Sequence, residues 1–329
     1  AQADEVAKTS SPLFQQIKAS IRTLDTASVE AVTHGRSAKP VNVKRVERLL
    51  SSSDWQTLFP LRDQSYSYVR FLQAIAKFPA VCGDYSDGRN ADAICRKGLA
   101  TMFAHFAQET GAHDPNSTIP QWRQGLYFLK EAGCRDYDTS CGYNAECDPN
   151  TWQGQTWACG KNANGTWKKY YGRGAKQLSY NYNYGPFSDA MFGTVRTLLD
   201  KPELVADTWL NLESAIFFYV YPQPPKPSML HVIDGTWKPN AADAAANITA
   251  GFGATINIIN GGIECNSGTD KPQATNRINY YKSTANYFAV PIASTEALSC
   301  ATQKPFPSNG GGAQLRDARE HVLQRRRFR

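Results

Sequence analysis

The chain has 329 residues, of which 41% are apolar, so it is long enough to bury one large core or two ordinary ones. It contains no apolar run of about eighteen residues, and the sequence therefore predicts no membrane span. The formal charge of +7 is concentrated at one end, because residues 301–329 carry seven basic and two acidic side chains. A nucleic-acid-binding protein needs its basic residues on the folded domain, so we expect no nucleic-acid partner.

Hydrophobic spacing predicts a mainly helical chain with few strands and no internal repeat. Residues 1–50 have weak helical patterning and are interpreted as an N-terminal helical extension. Residues 51–302 are predicted to form the principal domain, and residues 303–329, which open on a Gly-rich linker, a flexible basic tail. In the principal domain, helices are predicted over residues 68–78, 91–110, 186–199, 204–221, 253–259 and 272–288.

The eight cysteines fall into four locally spaced pairs: Cys82/Cys95, Cys134/Cys141, Cys147/Cys159 and Cys265/Cys300. The chain has no CxxC motif and no pair of histidines at zinc-binding spacing, so four disulfides explain the pattern better than structural zinc does. Disulfides, three glycosylation sequons and an N-terminus without an apolar signal core together predict a secreted, processed protein. The sequons begin at Asn116, Asn164 and Asn247.

Glu109 is the first candidate catalytic residue. It lies in the last turn of the predicted helix 91–110, seven residues after Met102, and is expected on the apolar face of that helix. Burial and the negative end of the helix dipole both disfavour a carboxylate and would raise its pKa, which suits a general acid. The alternative is an ordinary boundary glutamate paired with His105 or with a lysine.

Glu131 and a tyrosine-rich segment are the next candidates. A second carboxylate facing the first across a cleft is the arrangement that glycoside hydrolysis requires. Spacing alone does not show that the two carboxylates face each other, and Glu131 taken singly is better interpreted as an exposed charge. Residues 168–186 interleave tyrosines with Gln, Ser and Asn, which are the flat rings and polar groups that line carbohydrate sites. The alternative interpretation of this segment is a polar loop whose tyrosines pack against the protein and bind no ligand.

The motif YYGRGAKQLSYNYNYGP closely resembles the signature of family 19 glycoside hydrolases, the plant-type chitinases. Further motifs follow in the family's order: YSYVRFLQAIAKFP, FAHFAQETG, GLYFLKE, TWAC, PPKPS, INIINGGIEC and RINYYK. The resemblance covers roughly residues 53–300. It implies a mainly α, lysozyme-like fold of the α+β type, with two lobes, a substrate cleft between them and disulfide-stapled loops.

The resemblance also implies roles for individual residues. Glu109 matches the family's general acid, Glu131 its general base, and Ser179 the residue that positions the attacking water. The implied reaction is endo-acting hydrolysis of chitin or its oligosaccharides in a single inverting displacement, by a monomer without cofactor or metal. Substrate-binding positions are matched by Gln177, Tyr182, Asn183, Lys226, Asn260 and Trp157, and a charge network by Glu264 and Arg277.

The chain departs from the family pattern around the matched site, which marks it as a divergent member. Ala175 and Lys176 stand where a Pro–Ile-like pair is usual, and the Cys147–Cys159 loop is widened. These changes bear on subsite preference, and two other functions stay open. One is a muramidase-like lysin that acts on peptidoglycan, and the other is a chitin-binding protein that has lost catalysis.

Overall fold

The computed structural model describes residues 9–21, 23–37, 39–135 and 141–313. These residues fold into two compact units, of which the first comprises residues 9–219 with Asn279–Val290. The second comprises Val220–Ile278 with residues 291–313. The predicted mainly helical class is confirmed, since the β structure of the described ranges is a handful of isolated antiparallel bridges. No helix within these ranges is both long enough and apolar enough to span a bilayer.

Fifteen α-helices can be followed in the described residues. Before Glu131 they are α1 Pro12–Ser20, α2 Thr26–Glu30, α3 Val41–Leu49, α4 Ser52–Leu58, α5 Tyr68–Lys77 and α6 Ala91–Thr110. The middle of the chain forms α7 Trp152–Thr156, α8 Asn181–Phe192, α9 Arg196–Asp200, α10 Leu204–Asp207 and α11 Leu210–Val220. The last are α12 Met229–Ile233, α13 Ala241–Ala245, α14 Phe252–Glu264 and α15 Pro272–Tyr287. Single 3-10 turns occur at Gln121–Arg123, Ala145–Cys147 and Gly311–Ala313.

Helix α6 is the central helix of the first unit. Most of its residues between Cys95 and Thr110 are buried, and the side chain of Asn90 caps its first turn. The aromatic core packs around Phe103, with Phe59 at 4.9 Å and Phe288 at 5.8 Å between ring centroids. The C-terminal end of α6 is thereby held in a tightly packed interior.

Two predicted helices each divide into two helices in the structure. The segment 186–199 forms two helices, because Gly193 adopts a left-handed conformation with φ of +70° and ends α8. Residues 204–221 likewise divide into α10 and α11 at Thr208, which has extended backbone angles. Such breaks depend on single backbone angles and leave the hydrophobic spacing almost unchanged.

The described part of the predicted N-terminal helical extension, residues 9–21, 23–37 and 39–50, belongs to the first unit. Asn42 on α3 donates from Nδ2 to the carbonyl oxygen of Ile75 at 2.7 Å. Leu24 and Lys77 exchange two hydrogen bonds, of 2.9 and 2.8 Å. Val43 and Val46 are fully buried, so α3 stabilises α5 by apolar packing as well.

Residues 303–313 also differ from the predicted flexible tail. In the second unit, Lys304 donates its backbone N–H to Ala246, and the ring of Phe306 lies 6.0 Å from that of Trp237. Gly311 donates its N–H to Asp243 at 2.7 Å. Residues 314–329, which hold most of the predicted basic tail, lie outside the described residues.

All four predicted disulfides are present, with Cα–Cα separations between 4.6 and 5.5 Å: Cys82–Cys95, Cys134–Cys141, Cys147–Cys159 and Cys265–Cys300. The second and third of these staple the long irregular region between α6 and α8. This region is the part of the first unit that hydrophobic periodicity does not organise. Besides α7 and two 3-10 turns, short local cross-links stabilise the described residues of this region.

The disulfide between Cys265 and Cys300 is confirmed, but the packing of the chain around Cys300 differs from the prediction. The two cysteines are 35 positions apart, so this pair is not a local staple like the other three, whose cysteines are 7 to 13 positions apart. Cys300 is fully buried, and its carbonyl oxygen accepts backbone hydrogen bonds from Asn266 at 3.2 Å and Gln303 at 3.0 Å. The chain therefore stays packed beyond Cys300, where the sequence predicted that a flexible tail begins at residue 303.

Candidate active site

Glu109 stands in the final turn of α6, with its side chain 17% exposed. The ammonium group of Lys176 lies 3.8 Å from Glu109 Oε2 and 4.6 Å from the centre of the Phe218 ring. The lysine that pairs with Glu109 is therefore supplied by the tyrosine-rich segment, 67 positions further along the chain. The pairing and the partial burial place a titratable carboxyl at the rim of the core.

The end of α6 also anchors the chain that leads to Glu131. Thr110 accepts backbone hydrogen bonds from Tyr127 and Phe128 at 3.0 and 2.9 Å, and its hydroxyl oxygen accepts one from Leu126 at 2.7 Å. Gly125 approaches the backbone of Ala107 so closely that a Cβ there would lie 3.1 Å from it. The two carboxylate-bearing segments are thus tied together within a few residues of each carboxylate.

Residues 129–131 pair with the beginning of the tyrosine-rich segment. Gly174 donates its N–H to Leu129 at 2.9 Å, and Glu131 donates its N–H to Gly172 at the same distance. Arg173, which lies between them, is completely buried, with its guanidinium 3.7 Å from the centre of the Tyr171 ring. These antiparallel bridges give Glu131 a defined backbone position outside any helix.

The carboxylate of Glu131 is held by two donors. Tyr143 donates its hydroxyl to Oε1 at 2.8 Å, and the backbone N–H of Gly172 donates to Oε2 at 3.0 Å. Burial and the hydrogen bond to Glu131 raise the pKa of Tyr143 to about 12, so the phenol stays protonated as a donor. These two hydrogen bonds fix the orientation of the carboxylate, and both of their donors are neutral groups.

The segment Gly172–Ser179 therefore contacts both carboxylates. Its first residue binds Glu131, and Lys176, four residues later, lies against Glu109. Ser179 Oγ donates to the carbonyl of Gln177 at 2.9 Å, which leaves its lone pairs able to accept. Gln177 and Tyr180 have φ of +52° and +70°, a strained conformation for non-glycine residues that is found preferentially at functional sites.

The matched substrate-binding residues of the first unit differ in exposure. Tyr182 and Asn183 are partly exposed, and Asn183 donates from Nδ2 to the carbonyl of Ser179 at 2.9 Å. Trp157 is only 3% exposed, with its ring packed on Gly185 and near Phe14. Its contacts are therefore those of a core residue beneath α8.

The second unit holds the other matched residues. Glu264 and Arg277 form a buried ion pair, in which Arg277 Nη2 and Nε each donate to a different carboxylate oxygen at 2.9 Å. Asn260 donates to the same carboxylate at 2.8 Å, and Lys226 Nζ donates to the carbonyl of Ile258 at 3.1 Å. Glu264 and Arg277, the residues matched to the family's charge network, thus bind each other inside this unit.

Sequence reasoning missed three contacts of the site. It did not find Tyr143 or the Gly172 N–H as donors to Glu131, and it noted Lys176 only as a departure from the family motif. Nothing in the local pattern around Tyr143 indicates its partner, since the hydrogen bond joins two irregular segments. For Lys176, the unusual residue type inside a recognisable motif was the available signal.

Comparison with known proteins places these features in a family. The family model for chitinase class I, glycoside hydrolase family 19, matches residues 60–300. Endochitinase 1 of Solanum tuberosum is 37% identical over 244 residues, which cover 73% of this chain and 67% of that protein. Chitinase 3 of Oryza sativa subsp. japonica is 35% identical over 243 residues, 74% of this chain and 68% of that protein.

Solved structures show the same fold. Chitinase C from Streptomyces griseus HUT6037 aligns with a TM-score of 0.55 at 26% identity, covering 77% of this chain and 97% of that one. The class IV chitinase of Zea mays aligns with a TM-score of 0.51 at 22% identity, covering 78% of this chain and all of that one. With its family match, its relatives and its fold in agreement, the chain belongs to the class I chitinase family, glycoside hydrolase family 19, and is a glycoside hydrolase.

Proposed function

We propose that the protein is a secreted, endo-acting chitinase that hydrolyses β-1,4-linked N-acetylglucosamine polymers in a single inverting displacement. The observation that carries the proposal is the segment Gly172–Ser179, which contacts Glu131 at one end and Glu109 near its middle. Hydrolysis of a glycosidic bond needs two carboxyl groups, and this one segment contacts both. Acid–base chemistry of this kind uses protein groups and water, so no cofactor is proposed.

Glu109 is the proposed general acid. It protonates the leaving glycosidic oxygen as the bond to the anomeric carbon breaks. Its place on a packed helix limits its movement, which favours a well-aligned proton transfer. Lys176 accompanies the carboxylate that forms when the proton has left, because its ammonium group is 3.8 Å away.

Glu131 is the proposed general base. It accepts a proton from the attacking water while Tyr143 and Gly172 hold its carboxylate in one orientation. Ser179 accepts a hydrogen bond from the same water, since its own proton is directed at Gln177. Water attacks the face opposite the leaving group, so the configuration at the anomeric carbon inverts.

The remaining matched residues are proposed to contact or support the substrate. Gln177, Tyr182 and Asn183 neighbour Ser179 in the chain and offer amide and aromatic surfaces to sugar rings. Lys226 and Asn260 are assigned to substrate binding, and Glu264 with Arg277 to the charge network, on the motif match. Trp157 supports α8 from below, in keeping with its burial.

Secretion is proposed from the four disulfides, which form and persist in oxidising compartments. The proposed partner is chitin or its oligosaccharides, bound by a monomer. The muramidase-like and inactive chitin-binding alternatives make different predictions for the same assay, as follows.

The test is a product profile on chitin oligomers of increasing length, with peptidoglycan in parallel. We expect internal cleavage of the longer chitin oligomers and no soluble products from peptidoglycan. Release of muropeptides alone would establish the lysin alternative, and binding to chitin without released sugar the inactive one. In the same experiment, NMR of freshly cleaved oligomer should show the α-anomer first, and initial β-anomer would refute inversion.

A further inference from the structure

A row of four aromatic side chains extends from Glu131 to the surface of the first unit. Tyr143, whose hydroxyl binds Glu131, lies 5.0 Å from Tyr180 between ring centroids. Tyr180 stacks on Tyr182 at 5.1 Å with an angle of 11° between their planes. Trp152 follows at 6.0 Å from Tyr182, and we call these four residues the aromatic row.

Trp152 ends the aromatic row with an unusually open ring. Its side chain is 59% exposed, whereas Trp55 and Trp157 are buried. A single exposed apolar residue is ordinary, but this one continues a line of rings that starts at a proposed catalytic carboxylate. Trp152 is therefore not an isolated surface tryptophan.

The position of Trp152 is fixed by its surroundings. It is the first residue of α7, whose start is capped by Thr151 Oγ1 accepting from Gly154 at 3.0 Å. Asn181 donates from Nδ2 to the carbonyls of Gln153 and Trp157, which joins α7 to the start of α8, the helix that carries Tyr182. The Cys147–Cys159 disulfide closes the loop around it. A rigid aromatic platform loses little conformational entropy on binding a ligand.

Trp152 lies within the loop that the Cys147–Cys159 disulfide closes. None of the motifs shared with the family includes Trp152. The end of the aromatic row thus lies outside the motifs on which the resemblance rests.

We propose that Trp152, with Tyr182, forms an additional sugar-binding subsite that extends the substrate site on the Glu131 side. The ligand is one further N-acetylglucosamine unit of a chitin chain, with the apolar face of its pyranose ring against the indole. Successive ring separations of 5.0, 5.1 and 6.0 Å bring one aromatic surface after another along the row. Flat apolar surfaces bordered by polar groups are what sugar faces require.

This inference rests on the proposed function, because it assumes that chitin is the substrate. It predicts a dependence on chain length, since only oligomers that reach Trp152 gain from the contact. Short oligomers occupy the cleavage site and leave the indole unoccupied.

The experiment compares wild type, Trp152→Ala and Trp152→Phe on chitin oligomers from the shortest that is cleaved up to the hexamer. For Trp152→Ala we expect kcat/KM to fall roughly three- to tenfold on the longest oligomers and to stay unchanged on the shortest. Trp152→Phe should restore much of the loss. In calorimetry, adding Trp152→Ala to the Glu109→Gln protein should weaken its binding of the hexamer by a similar factor.

Phe192→Ala is the matched control, because Phe192 is an aromatic residue 39% exposed on the same unit and outside the aromatic row. It should leave the length dependence as in wild type, and both alanine variants should keep the wild-type melting temperature. Equal kinetics of Trp152→Ala and wild type at every length, or an equal loss at every length, would overturn the subsite. Failure of wild type to cleave any chitin oligomer would instead overturn the proposed function, and the subsite with it.

Discussion

The two proposed catalytic glutamates are positioned in opposite ways. Glu109 stands on the 20-residue helix α6, whose packing in the core leaves its backbone little freedom. Glu131 lies in an irregular region and is held by antiparallel backbone bridges and by the donors Tyr143 and Gly172. One carboxyl is therefore placed by a helix and the other by hydrogen bonds between loops.

This difference predicts how substitutions near each carboxyl affect its position. A helix interior distributes the cost of a change over many contacts, whereas a pair of hydrogen bonds is lost when one partner moves. We therefore expect the Glu131 side to be sensitive to single changes in its neighbours. The Glu109 side should respond mainly to changes of the carboxyl itself and of the nearby charge on Lys176.

The largest effect is expected from the carboxyls. Glu109→Gln and Glu131→Gln should each lower kcat on chitin oligomers roughly 10²- to 10⁴-fold, since each removes one proton transfer. Steady-state kinetics with the pure variants measure this. Glu30→Gln, at an exposed position, is the control and should keep full activity. Near-normal turnover by either active-site variant would remove that residue from its role.

The next effect tests the loop contacts that hold Glu131. In Gly172→Ala the new Cβ would lie 2.7 Å from Gln177 Oε1 and 3.3 Å from Glu131 Oε2, so the carboxylate must shift. A shift of a few tenths of an ångström should lower kcat by up to roughly tenfold, since a misplacement of about 1 Å can cost about 10²-fold. Gly142→Ala is the matched control, because its added methyl group meets open space. If both variants were as active as wild type, the hydrogen bonds that orient Glu131 would not matter to catalysis.

A smaller effect tests the charge beside Glu109. Lys176→Met removes a positive charge 3.8 Å from the carboxyl, and a positive charge favours its ionised form. Without it the acid keeps its proton to higher pH, so the alkaline limb of the pH–rate profile should move upward. Lys18→Met, which breaks the ion pair with Asp189, should leave the profile in place. A downward movement in Lys176→Met would contradict the assignment of Glu109 as the acid.

The smallest effect on activity is expected at Glu213, a carboxyl on α11 buried with neither oxygen hydrogen-bonded within the described residues. Burial raises the pKa of Glu213 well above its usual range, and the charge of Lys77 only partly opposes this. Between the unfolded value of about 4.3 and the raised one, only the folded protein holds this proton, so stability falls as pH rises.

The amide of Glu213→Gln does not ionise in this range, so the melting temperature of this variant should fall less with rising pH than that of wild type. The difference should develop between roughly pH 4 and pH 8, above the unfolded pKa. Its kcat should be unchanged, because the residue belongs to the core of the first unit. Thermal unfolding across this range, with Glu30→Gln as the control, measures the difference. Parallel curves for Glu213→Gln and wild type would show that the buried carboxyl does not govern this pH dependence.

The same contrast explains what the sequence could predict. The bounds of α6 agree with the predicted helix 91–110, because strong apolar spacing, the Asn90 cap and Gly111 act together. Three of the disulfides join cysteines 7 to 13 positions apart, and this close spacing correctly indicated them. These signals are local, and the physics that produces them is local too. The pair Cys265–Cys300 was also predicted correctly, although the 35 positions between its cysteines make spacing a weaker signal there.

The missed features depend on contacts between distant segments. Tyr143 and Gly172 bind Glu131 across irregular chain, where hydrophobic periodicity carries no information. The apolar pattern of the N-terminal helices is weak because they are short and because α1 and α2 expose more than half of their residues, although Val43 and Val46 of α3 are fully buried. The packing beyond Cys300 was missed for a related reason, since a Gly-rich composition does not show which backbone groups find partners. Lys176 could be noticed as unusual, but its contact with Glu109 required the fold.

The most direct test of the central claim separates the acid from the base by the leaving group. A dinitrophenyl β-glycoside of a chitin oligomer releases a phenolate that needs no protonation, whereas attack by water still needs a base. On this substrate we expect Glu109→Gln to regain most of the wild-type rate and Glu131→Gln to remain slow. Recovery of Glu131→Gln with no recovery of Glu109→Gln would reverse the two roles and contradict the mechanism.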